Sequence, residues 1–126
     1  MKEQEFLTKN FIRTKDNKLD IAVTYFQLLS AFNNLKLSQT EINLLAHGAI
    51  NNNVISGGLK IRFAEKYKTS IPVINNAISL LKKKHLLEKV DNTIRIYSKI
   101  TININNSDNF LFSFKCIRNV NQNEKK

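Results

Sequence analysis

Residues 59–90 read LKIRFAEKYKTSIPVINNAISLLKKKHLLEKV, and the spacing of apolar positions in this stretch decides the fold. Phe63, Ala64 and Tyr67 recur at helical steps, so residues 59–68 predict a helix with one inward face. Thr69 and Ser70 interrupt it. Ser70 is a good N-cap, because its hydroxyl oxygen accepts from a backbone N–H that lacks an intrahelical partner, and Pro72 is tolerated in a first turn. Residues 71–84 then put Ile74, Ala77, Ile78 and Leu81 on one side. They end in Lys82, Lys83 and Lys84, cations that meet the negative end of the helix dipole. After His85 the period changes. Residues 86–90 and 93–97, separated by Asp91-Asn92, read as a β-hairpin with a tight turn.

Upstream, Ser38-Gln39-Thr40-Glu41 matches a capping box, in which the serine hydroxyl and the glutamate carboxylate satisfy each other's backbone N–H groups. Ile42, Leu44, Leu45 and Ile50 continue it as a helix that stops at Asn51-Asn52-Asn53. His47 reads as a partly exposed structural histidine, since no second histidine or carboxylate stands at ligand spacing. Ser56-Gly57-Gly58 reads as a loop, without the strand and lysine that a phosphate-cradling loop needs. Residues 19–37, LDIAVTYFQLLSAFNNLKL, predict an amphipathic helix with Ile21, Tyr25, Leu28, Leu29 and Phe32 on its inner face, weakened toward its end by Asn33 and Asn34. Residues 1–18 show no clear period and read as a partly ordered arm or a short helix.

Downstream, Ile94, Ile96, Ile100, Ile102 and Ile104 share one parity, which predicts a long second strand in the hairpin. Residues 105–109 then form a turn, and residues 110–117 a further strand with Phe110, Phe112 and Phe114 on one face, giving an additional C-terminal β-hairpin. Residues 119–126 are a polar tail. The expected organisation is an α+β fold in which residues 19–118 form one domain.

The offsets inside residues 59–87 resemble the winged helix-turn-helix superfamily. Ala64 lies in the first motif helix, Ser70 caps the second, Ile74 follows the alanine by ten positions and Leu81 lies seven further on. The likeness covers residues 38–100, is strongest over residues 59–90, and is nearest to MarR-type regulators and, more loosely, to winged-helix replication initiators of plasmids and phages. It implies N-terminal helices and then a β-hairpin wing; the additional C-terminal hairpin lies beyond the likeness and favours a docking role. It also implies a double-stranded DNA partner, with residues 71–84 in the major groove and residues 87–99 on the backbone. Asn75 and Asn76 are then base-reading candidates, because an asparagine side chain can bond adenine through both of its polar atoms. Ser70, Ser79, Lys60, Lys82 and Lys83 are candidate phosphate contacts, with Asn92, Arg95 and Lys99 in the wing. Three stretches depart from the family pattern. Ile71, Pro72 and Val73 are apolar where DNA-reading helices are often polar, Lys68-Thr69 stands where Gly and an apolar residue are frequent, and His85 occupies a frequent glycine position.

Charge points the same way. The chain of 126 residues carries +10, and residues 57–99 hold ten basic side chains against three acidic ones. Residues 21–56 sum to zero. Clustered cations suit a polyanionic partner, whose condensed counterions they release. Asn, Ile and Lys dominate the composition, as expected of an AT-rich genome such as that of a phage or plasmid. Other classes find little support. The two histidines are 38 positions apart, the one cysteine (Cys116) lies in an apolar strand, and no metal, cofactor or catalytic pattern is present, so an enzyme is not expected. No apolar run reaches the roughly 18 residues of a membrane span, and the N-terminal residues lack a signal-peptide core. A cytoplasmic protein without cofactors is the expectation. The alternative on the same fold is a docking or assembly module, such as a virion component, that does not read DNA. It would use helix 19–37, residues 71–73 or strand 110–117 toward a partner protein or a second copy.

Overall fold

The computed structural model describes residues 9–12, 18–102, 104 and 109–112, with side chains for residues 18–102 and 104. These form an α+β arrangement of four helices, a three-stranded antiparallel sheet and a separate two-stranded pairing. In order they are β1 (Lys9–Ile12), α1 (Lys18–Phe32), α2 (Gln39–Ile50), β2 (Val54–Ile55), α3 (Gly57–Tyr67), α4 (Ile71–Lys83), β3 (Leu87–Val90), β4 (Thr93–Ile96) and β5 (Asn109–Phe112).

The capping box forms as its residue types require. Ser38 Oγ accepts from the Glu41 N–H at 3.1 Å, and Glu41 Oε1 accepts from the Ser38 N–H at 2.8 Å. The same carboxylate oxygen lies 3.5 Å from Lys84 Nζ, which ties the start of α2 to the end of α4. Both charges face the favourable end of their own helix dipole. Ile42, Leu44, Leu45, Ala46 and Ala49 are buried, and so are all four inward residues expected of α4: Ile74, Ala77, Ile78 and Leu81. Ser70 caps α4, with Oγ accepting from the Val73 N–H at 3.4 Å and Pro72 in the first turn.

Four expectations are corrected. Helix α1 stops at Phe32, not Leu37, and buries Ile21, Ala22, Phe26 and Ser30, while Phe32 is 60% exposed. Ile21 is buried as expected, and Tyr25 and Leu29 pack partly buried against the core, with Tyr25 Oη donating to the Ile100 carbonyl at 2.8 Å. Apolar side chains nearly encircle this helix, and packing on α2 buries Ala22 and Phe26 beside that face. Ser56-Gly57-Gly58 is not a loop: Ser56 is an N-cap, accepting from the Leu59 N–H, and the two glycines open α3. The second wing strand ends at Ile96, because residues 98–100 turn as a 3-10 helix, and Ile100, Ile102 and Ile104 meet the core outside any strand. Finally, the described residues contain no C-terminal hairpin. β5 pairs antiparallel with β1, drawn from within the expected N-terminal arm, in the register Lys9 with Phe112 through Ile12 with Asn109. Residues 113–117 of the expected strand, Cys116 among them, lie outside the described residues.

The hairpin itself is as expected. Asp91 and Asn92 both adopt positive φ (51° and 64°), the geometry of a two-residue turn whose twist matches the strands it joins. β4 is central, pairing with β3 on one side and with the two-residue β2 on the other. Gly48 brings α2 against this sheet, since a Cβ there would lie 3.2 Å from Ile55 Cγ1 and 3.3 Å from Ile96 Cδ1.

Candidate nucleic-acid interface

Burying Ile74, Ala77, Ile78 and Leu81 orients α4 so that its outward side carries Asn75, Asn76, Ser79, Lys82 and Lys83, all exposed. Five of the ten sequence-predicted residues therefore stand on one exposed helix surface, with Ser70 exposed at its cap. Lys60, in the first turns of α3, donates from Nζ to Asn75 Oδ1 at 3.0 Å. That bond takes one of the two lone pairs of the Asn75 oxygen and fixes the direction of its amide. Asn76 makes no side-chain hydrogen bond among the described residues. Lys84, by contrast, is taken up by Glu41.

The wing residues divide. Asn92 at the hairpin tip lines a depression of about 390 Å³ with Ser56, Gly57, Lys60 and Ile94, so the tip and the start of α3 share one surface. Arg95 follows Ile94 on β4 and so projects to the opposite face of the sheet, in register with Glu88. Lys99 sits in the 3-10 turn beside Ile100, whose carbonyl is bonded to Tyr25 of α1. Arg95 and Lys99 are thus not gathered with the α4 group. Sequence reasoning missed the contribution of Ser56 and Gly57, because it placed them in a loop. The serine-then-glycine start with an apolar residue three positions after Ser56 was the available signal.

The outward side of α4 is not wholly polar. Val73 and Leu80 are 45% and 48% exposed, and their seven-residue spacing puts them on one flank. Ile61 of α3 is 58% exposed.

On the far flank of α3, His47 is half-buried, with its ring edge-on to Phe63 and Tyr67 at centroid distances of 5.5 Å and Nε2 2.9 Å from Tyr67 Oη. Burial, then the positive charges of Lys66 and Arg62, lower its pKa below the ordinary range. Burial also raises the Tyr67 pKa. The structural role expected of His47 agrees with these contacts. No group of His, Cys, Asp or Glu able to hold a metal occurs among the described residues, and none of their helices is long and apolar enough to cross a membrane. Comparison with family models, with curated proteins and with solved structures finds no match to this chain.

Proposed function

We propose that residues 39–97 are a winged-helix DNA-binding module, a regulator of transcription or replication, with α4 as the major-groove helix and the β3–β4 hairpin as the wing. The observation that carries this reading is the single exposed surface holding Asn76, Ser79, Lys82 and Lys83, flanked by Lys60 and Asn75. Adenine recognition needs both the oxygen and the nitrogen of an asparagine amide. Asn76 offers both, whereas Lys60 engages the Asn75 oxygen, so Asn76 is the base reader and Lys60–Asn75 a brace between the motif helices. Lys82, Lys83 and Ser79 meet phosphates. Asn92 is the wing contact, and Arg95 and Lys99 add only to the overall field.

Duplex binding measured at low and moderate salt tests this. Two lysine–phosphate contacts give a log–log slope of about −1.8, or roughly a 12-fold loss over a fourfold rise in salt. Lys82→Glu with Lys83→Glu should abolish binding while the circular dichroism spectrum is unchanged. A flat salt response, or full binding by the double variant, overturns the proposal.

The exposed pair Val73 and Leu80 favours a second reading, in which α4 docks a protein through its apolar flank. Val73→Asp separates the two. Loss of a protein complex with DNA affinity retained supports docking, and loss of DNA affinity alone supports groove contact by this flank.

A further inference from the structure

We propose that a cavity on the flank of α3 away from Lys60 binds a phosphate-bearing molecule. Residues 60 and 62 lie two steps apart on α3, about 200° around the helix, so this cavity is separate from the Lys60–Asn75 brace. Its volume is about 390 Å³, at the small end for ligand sites. His47 and Asn51 from the end of α2, with Arg62 and Lys66 from α3, form its polar rim, over a floor of Leu59 and Phe63.

The chemistry of the rim selects an anion. Arg62 and Lys66 stand four residues apart, where like charges on one helix face repel. No acidic side chain lines the cavity, and neither cation has an ion-pair partner among the described residues. Glu65, three residues after Arg62 and so its neighbour on the helix surface, is exposed, does not line the cavity and makes no ion pair with Arg62. The charged and titratable groups facing His47 are Lys66, Arg62 and Tyr67, and both cations disfavour its protonation. A ligand with two negative charges would relieve this repulsion, and a tetrahedral phosphate matches the forked donors of arginine beside the point charge of lysine. Gly58 gives the arginine its room, since a Cβ there would lie 3.3 Å from the Arg62 guanidinium. The apolar floor suits a phosphate ester with a ring or alkyl portion better than the bare ion.

The test titrates inorganic phosphate, and then phenyl phosphate, into the full chain at constant ionic strength, read by amide and imidazole NMR. Saturable shifts at His47, Asn51, Arg62 and Lys66 are expected, with phenyl phosphate several-fold tighter and the His47 pKa rising as the site fills. Arg62→Gln with Lys66→Gln should weaken binding at least tenfold, with the remaining spectrum unchanged. Lys82→Glu with Lys83→Glu should leave it intact, so this site and the DNA reading can fail separately. Displacement of bound phosphate by duplex DNA assigns the group to a nucleic-acid backbone, and coexistence assigns it to a free ester. Linear shifts reproduced by chloride, equal binding by the Arg62/Lys66 variant, or loss in the Lys82/Lys83 variant overturns the proposal.

Discussion

At the scale of single residues, Ser38 and Ser70 cap because a short hydroxyl side chain in extended backbone reaches the N–H two or three residues on, whatever the rest of the chain does. Roles that depend on distant neighbours could not be read in the same way. Glu41 shows the difference: its capping partner is three residues away, but its pairing with Lys84 spans 43 positions. His47 carries a prediction at this scale. Burial, with Lys66 and Arg62, holds its pKa below the ordinary value of about 6.5. Just below that value the unfolded chain binds a proton at His47 that the folded protein does not. Stability therefore falls as pH drops through about 6.5 and levels off beneath the folded-state pKa. Urea denaturation on both sides of this value should show a shallower pH dependence for His47→Gln than for the parent chain. Equal slopes would remove His47 from the account.

At the scale of elements, helix ends follow one rule without glycine. Near the ends of α1, α2, α3 and α4, Asn34, Asn52, Lys68 and His85 take φ of 52°, 57°, 53° and 63°. A backbone N–H then reaches five residues back: Leu35 to Ser30, Asn53 to Gly48, Thr69 to Ala64 and Leu86 to Leu81. Asparagine visits this left-handed region readily, but lysine does so at a cost of about 1–2 kcal/mol. Lys68→Gly should therefore raise stability by roughly 0.5–1 kcal/mol, after the greater flexibility of glycine in the unfolded chain is subtracted. The measurement is the urea midpoint at unchanged slope, and a lowered midpoint contradicts it. The family resemblance flagged both Lys68-Thr69 and His85 as departures from a glycine-bearing pattern, and the φ values give the physical reason. Strand β2 escaped notice because two residues carry no period, and only pairing with β4 makes Val54–Ile55 a strand.

At the scale of the whole molecule, the fold depends on how closely α2 approaches the sheet. Gly48 sets that distance, so Gly48→Val should cost about 1–3 kcal/mol through overpacking against Ile55 and Ile96. Gly57→Ala, where a Cβ meets nothing within 4 Å, is the control and should be neutral or stabilising. Thermal unfolding of both variants checks the pair, and equal melting points would show that the approach is not tight. Local sequence suffices for the capped helices α2 and α4, the inward face of α4, the hairpin turn and the positive charge of residues 57–99. Each of these rests on neighbours within one or two turns of chain, or on composition. Tertiary structure decided the rest. It buried Ala22 and Phe26 of α1 beside Ile21, left Phe32 mostly exposed and ended the wing strand at Ile96. It paired β5 with β1. It also put Lys60 on Asn75 and Arg62 beside His47, on opposite flanks of one helix. The residues 59–90 that decided the fold thus carry two basic surfaces, and only packing against α2 and α4 tells them apart.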